Sequence, residues 1–89
     1  MRLDKFLKVS RIVKRRTVAA ELCDGGHVKI NGKVAKPAAE VKAGDVLQIR
    51  FGNRLLTTEI LRVPEKAVPA QDAGSLYQIL DEHGLESSL

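Results

Sequence analysis

Residues 1–16 hold seven Lys or Arg against one acid, Asp4, and the cations are threaded between apolar residues rather than run together. Leu3, Phe6 and Leu7 fall at i, i+3 and i+4, which predicts one face of a short helix with Lys5 and Lys8 projecting from the other side. So many like charges in so short a segment oppose its folding by self-repulsion. The excess is best explained by a polyanionic partner, nucleic acid first among them. A floppy basic arm would give charge neutralisation alone, whereas cations fixed on a packed helix present phosphate-binding groups at set distances.

Beyond this helix, Val9 to Lys14 reads as a connector with Ile12 and Val13 against the core. A second helix is expected next: Thr17 can cap or open it, Ala19, Leu22 and Cys23 form its apolar stripe, and Gly25-Gly26 stops it. Arg15 and Arg16 then sit at its start, where unsatisfied backbone N–H groups favour a phosphate. His27 to Ala35 predicts a hairpin, because Val28 and Ile30 alternate with Lys29 and Asn31-Gly32 is a strong two-residue turn signal. After Lys36-Pro37, a loop over 38–43 carries Val41 as a core contact, and Gly44-Asp45 makes a second turn. Leu47, Ile49 and Phe51 share one face of the next strand. Gly52-Asn53 then turns into an extended run from Leu55 to Val63.

The pattern thus predicts an α+β fold with two N-terminal helices packed on a small, curved, mostly antiparallel sheet. Pro64 to Gly74 lacks periodicity and reads as a linker. From Ser75, the spacing of Leu76, Ile79 and Leu80 predicts a short C-terminal helix stopped at Gly84. The organisation expected is a binding domain over 1–63, a linker over 64–74 and a short acidic helix or tail over 75–89.

Composition narrows the function. Residues 1–36 carry ten Lys or Arg against Asp4, Glu21 and Asp24, whereas residues 64–89 carry Lys66 against five acids. One end is built for anions, and the acidic end should point away from them or meet a protein. At 89 residues the chain is one small domain, expected to bury about 60–65% of its unfolded surface. Its one cysteine cannot form an internal disulfide, and no Cys/His cluster has zinc-finger spacing. No apolar run approaches the roughly 18 residues of a membrane span. A cytoplasmic protein with no membrane partner, cofactor or metal is expected. His27 and His83 are too far apart and too poorly accompanied for metal or acid–base chemistry, so no catalytic residue is nominated and no enzyme is expected. With aromatics at 3%, base stacking is not the expected mode of binding.

The order of motifs resembles a known family. Arg-Leu-Asp-Lys-Phe-Leu at 2–7, Arg-Arg-Thr-Val-Ala at 15–19, Gly-His-Val-Lys-Ile-Asn-Gly at 26–32 and Val-Lys-Ala-Gly-Asp at 41–45 resemble the S4 RNA-binding domain, or αL motif. Within it, the length, the opening Met-Arg-Leu-Asp-Lys-Phe-Leu-Lys-Val-Ser-Arg, the run Lys14-Arg15-Arg16-Thr17 and the segment Arg-Phe-Gly-Asn-Arg-Leu at 50–55 are similar to stand-alone bacterial proteins of the RqcP (YabO-like) type, related to heat-shock protein fifteen. The resemblance implies a factor on obstructed large ribosomal subunits that still carry peptidyl-tRNA. There it would contact large-subunit rRNA and tRNA and help an RqcH-type factor add an alanine tail to the stalled chain. Two rivals stay open: a recycling factor like heat-shock protein fifteen, without a role in tailing, and a basic module for an acidic protein or a membrane surface.

Mapped by motif, the family's RNA contacts fall on Arg2, Lys5, Arg11, Arg15, Arg16 and Thr17, with Asp4 in the same opening motif. Lys8, Lys14, Lys29, Lys33 and Lys36 join as nearby cations. Asp4 either pairs with Lys8 at i, i+4 or orients Arg2 or Arg11 for RNA. Arg16 opposes the dipole at a helix start, which makes a phosphate ligand the better explanation of its position. Cys23 reads as an inert small hydrophobe, Asp45 as a turn residue and Tyr77 as a docking aromatic.

Overall fold

The computed structural model describes residues 1–66 and 68–84; Ala67 and residues 85–89, the last part of the expected tail, lie outside the described residues. Helix α1 spans Leu3–Val9, and its Leu3, Phe6 and Leu7 are fully buried, as their spacing predicts. Arg2 at its N-cap makes no side-chain cap. The loop after residue 36 supplies the missing acceptors instead, since Leu3 N donates to Ala39 O at 2.7 Å and Asp4 N to Pro37 O at 3.2 Å. Ser10 closes the helix. Arg11 then takes φ 64°, a left-handed conformation that costs a non-glycine residue about 1 kcal/mol.

Helix α2 covers Arg16–Asp24. Its N-cap is Arg15, extended at φ −123°, and Thr17 lies inside the first turn without capping it. The expectation that Thr17 caps or opens the helix is therefore corrected: Arg15, with extended backbone, is the N-cap, and the helix begins at Arg16. Ala19 and Cys23 are buried, Leu22 packs partly buried against them, and Gly25-Gly26 ends the helix with Gly26 at φ 78°.

The sheet is fully antiparallel, in the order β2-β1-β3-β4-β5. Its strands are β1 (Val28–Ile30), β2 (Lys33–Val34), β3 (Val46–Phe51), β4 (Arg54–Ile60) and β5 (Tyr77–Gly84). Asn31 and Gly32 both have positive φ, 52° and 87°, as a tight hairpin turn requires. Asn31 also accepts from Val46 N at 2.9 Å and donates to buried Asp45 at 3.1 Å, stitching the hairpin to the Gly44-Asp45 turn. Val28, Leu47, Ile49, Leu56, Thr58 and Ile60 face inward to the helices, while Lys29, Gln48, Arg50, Leu55 and Thr57 face outward.

The C-terminal segment differs from expectation. A 3-10 helix spans Ala70–Leu76, upstream of the helix read from Ser75, and residues 77–84 pair with β4 as a strand. Two physical reasons decide this. β4 would otherwise leave an open edge of backbone donors and acceptors, and the segment is too short for an isolated helix to be stable in water. The register shifts at Thr57/Thr58, whose partners are Asp81 and Ile79, so Leu80 is an extra bulged residue. That bulge breaks the two-residue alternation and leaves the i, i+3, i+4 pattern that mimics a helix. Ala73 and Leu76 are buried and Tyr77 packs against the core.

Candidate nucleic-acid interface

The helix layer gathers its cations around one carboxylate. Asp4 is 4% exposed, yet its oxygens meet the two arginines that cover it. Arg2 donates from Nε and Nη2 to Oδ1 and Oδ2 at 3.2 Å each, and Arg16 Nη2 donates to Oδ1 at 3.4 Å. The Lys5 amide adds a bond to Oδ1 at 2.7 Å. The Arg16 link joins residues twelve apart and holds the starts of α1 and α2 together. Each guanidinium carries five N–H groups and gives only one or two to Asp4. The rest stay outward, since Arg2 and Arg16 side chains are 50% and 48% exposed. One negative charge thus fixes two positive ones in a geometry suited to charge-assisted bonds to phosphate oxygens.

These side chains open into a concavity of about 590 Å³ lined by Arg2, Lys5 and Arg16 together with Met1, Glu40 and the 63–65 segment. The Met1 amino group pairs with Glu40 at 2.8 Å. Beside it, the first-turn N–H groups of α2, those of Arg16, Thr17 and Val18, take no protein partner among the described residues. In α1, by contrast, the N–H groups of Leu3 and Asp4 are already used.

Of the residues nominated from sequence, Arg2, Asp4, Lys5 and Arg16 come together here, with Arg15 and Thr17 exposed at the start of α2. Asp4 pairs with Arg2 and Arg16, and among the described residues it makes no ion pair with Lys8 or Arg11. Lys8 and Arg11 are exposed near the other end of α1, which at 1.5 Å per residue is about 10 Å away, and Lys14 is exposed in the connector just before Arg15. Lys33 and Lys36 are exposed on and just after the hairpin, and Lys29 faces outward from the sheet. Sequence reasoning missed Glu40 and Glu65, which bring acid to the lining of the concavity. Glu65 belongs to the acidic third expected to point away, whereas Asp81 and Glu82 lie on β5, at the sheet edge opposite β2. Only the loop's return to α1, invisible in local periodicity, brings Glu40 to Arg2.

Cys23 lies on the buried side of α2. Desolvation first, and then the charges of Asp4 and Asp24, push its thiol up to about 11 from an ordinary 9.0. It is an unreactive core thiol.

An S4 domain family model matches residues 1–47, which hold all of these helix-layer residues. The chain belongs to the S4 domain family. The RQC P-site tRNA stabilizing factor of Halalkalibacterium halodurans is 51% identical over 88 residues, 99% of each protein. The same-named protein of Streptococcus pneumoniae is 46% identical over the whole of both. Among solved structures, heat shock protein 15 of Vibrio cholerae superposes with a TM-score of 0.81 at 34% identity, covering 89% of this chain and 80% of that one. Within the S4 family the chain thus belongs with the RQC P-site tRNA stabilizing factors, and heat shock protein 15 is a relative.

Proposed function

We propose that this chain is a non-catalytic RNA-binding factor of ribosome quality control. It acts on obstructed large ribosomal subunits carrying peptidyl-tRNA and supports alanine tailing of the stalled chain by an RqcH-type factor. The carrying observation is the Asp4 clamp, which presents Arg2 and Arg16 together at a concave surface that also includes Lys5. Large-subunit rRNA is the RNA proposed for this surface, and Arg11, Arg15, Thr17 and the exposed Lys33 and Lys36 extend the positive field around it. The name of the Halalkalibacterium and Streptococcus relatives, RQC P-site tRNA stabilizing factor, supports a tRNA-linked role on the ribosome. A membrane role is disfavoured on physical grounds, because the apolar face that a surface helix would insert, Leu3, Phe6 and Leu7, is fully occupied in the core.

Arg16→Ala is expected to lower co-sedimentation with peptidyl-tRNA-bearing large subunits by roughly 10- to 100-fold, the value of a charge-assisted hydrogen bond, while the circular dichroism spectrum stays unchanged. With about five phosphates engaged, the log–log salt slope of wild-type binding should be about −3.5 to −4.5. Wild-type co-sedimentation by Arg16→Ala would remove the proposed surface. Kinship with heat shock protein 15 favours one second reading, recycling without tailing. Adding the purified chain to a tailing reaction separates the two, since a pure recycling factor does not raise alanine addition.

A further inference from the structure

The outer face of the sheet, on the side away from the helices, holds a second basic cleft of about 230 Å³. It is lined by His27, Lys29, Gln48, Arg50 and Leu55, with Gly26 at its rim, and no acid is among its lining residues. The register explains the convergence. Lys29 sits opposite Gln48 and Arg50 opposite Leu55, while the Arg50 amide donates to His27 O at 2.9 Å. Two neighbouring rows of the sheet, one through His27, Arg50 and Leu55 and one through Lys29 and Gln48, therefore point their side chains into one hollow.

Three observations separate this hollow from an ordinary solvated face. Lys29, Arg50 and His27 make no ion pair or side-chain hydrogen bond among the described residues, whereas Arg54 on the adjacent strand is neutralised by Glu82. The His27 ring is seated over Gly25, where an added Cβ would lie 2.7 Å from its Cδ2. The hollow combines cations with an apolar floor at Leu55 and an amide at Gln48 that can both donate and accept. A free anion needs only the cations. A ribose-phosphate strand uses all three, with phosphate on Lys29 and Arg50, 2′-hydroxyl on Gln48 and sugar over Leu55.

We infer that this outer cleft is a second RNA-binding site, which takes a different RNA segment from the one held at Arg2 and Arg16. The two clefts share no lining residue and lie on opposite sides of the sheet layer, so one chain can bridge two RNA backbones. This inference rests on the function proposed above and adds a second contact to it. It also gives Lys29 a different task from the clamp residues.

The test is a titration of the ¹⁵N-labelled full chain with an RNA stem-loop, followed through backbone amide shifts, with inorganic phosphate as a parallel probe. Amides of Arg2, Lys5 and Arg16 should respond within the first equivalent, and those of Lys29, Gln48 and Arg50 should saturate with the second. The double variant Lys29→Ala/Arg50→Ala should weaken the second event by at least about tenfold and leave the first unchanged. Its own spectrum reports whether it is folded; if it is not, Gln48→Glu, which places a carboxylate in the cleft, takes its place with the same expectation. A response confined to the α1–α2 amides overturns the second site and leaves the proposed function standing. A response confined to the outer face overturns the assignment of the clamp instead. If phosphate at matched phosphate concentration moves the outer amides as far as RNA does, the cleft is a general anion site and the inference fails.

Discussion

In the helix layer the buried carboxylate of Asp4 meets donors from Arg2, Lys5 and Arg16; in the β4–β5 pair the buried hydroxyl of Thr58 meets none among the described residues. Both side chains sit within the fold, and their surroundings treat them in opposite ways. Around Asp4, the cost of burying a charge is offset by hydrogen bonds whose other ends reach the surface, so the buried group organises exposed ones. Around Thr58, the ladder slips by one residue at the Leu80 bulge, and Ile79 and Leu80 remain 53% and 50% exposed. The helix layer turns the pairing of its buried charge outward, towards the surface. The β4–β5 pair closes an edge and is less completely satisfied.

If Asp4 acts as a central charge, its field should be felt on the core side as well as at the surface. Burial first, and then the Asp4 charge, act on the Cys23 thiol, which gives the largest expected effect on stability. Its folded pKa of about 11 exceeds the ordinary 9.0, so between those values the native state retains a proton that the unfolded chain releases. Stability is therefore fully present below pH 9, falls as pH rises towards 11, and loses roughly 2 to 3 kcal/mol across that window. Urea midpoints at pH 8 and pH 10.5 should fall further for wild type than for Cys23→Ala. Equal declines would show that burial and the Asp4 charge do not act on this thiol.

Asp4→Asn sharpens the comparison from the other side. It keeps an acceptor for the Lys5 amide but removes the charge that holds Arg2 and Arg16. Because both guanidiniums are about half exposed, the pairs contribute little to stability, and the thermal midpoint should move by only a few degrees. Subunit association should weaken by about tenfold, because freed guanidiniums must be ordered again on binding. A variant that binds like wild type would show that the clamp is structural decoration around cations that need no positioning.

The same contrast explains what could be read from the sequence. The helix layer was legible because Leu3, Phe6 and Leu7 are local signals, and Asn31-Gly32 and Gly44 mark turns by their own backbone preferences. Asp4's partners were legible only in part: Arg2 is two residues away, but Arg16 reaches Asp4 only after α1 and α2 have packed. Arg50 could have been placed on the outer face with Lys29, since it alternates with inward-facing Ile49. β5 was not legible because its state is set by the open edge of β4 and its alternation is broken by Leu80. There, tertiary pairing overrode a pattern that local reading assigns to a helix.

Arg11 gives a smaller effect with opposite signs for stability and binding. At φ 64° it occupies the position after α1 where glycine is favoured. Arg11→Gly should raise stability by up to about 1 kcal/mol and still weaken RNA binding severalfold, because a cation is lost. Chemical denaturation and a salt titration check both halves, with the salt slope expected to become shallower by about 0.7 to 0.9. Unchanged binding would take Arg11 out of the interface.

Thr58→Val is the smallest change and the most direct comparison of the two regions. Valine nearly matches threonine in shape and removes a hydroxyl that is fully buried without a partner, opposite Ile79 at the bulge. It should therefore stabilise the protein by about 0.5 to 1 kcal/mol, read as a shift in the urea midpoint at unchanged slope. RNA binding should not change, because Thr58 faces inward and reaches neither cleft. A loss of stability would mean that the hydroxyl is hydrogen-bonded in solution and that the β4–β5 pair is as fully satisfied as the helix layer. The contrast between a region whose buried polar group is fully paired and one that merely closes an edge would then fail at its weakest point.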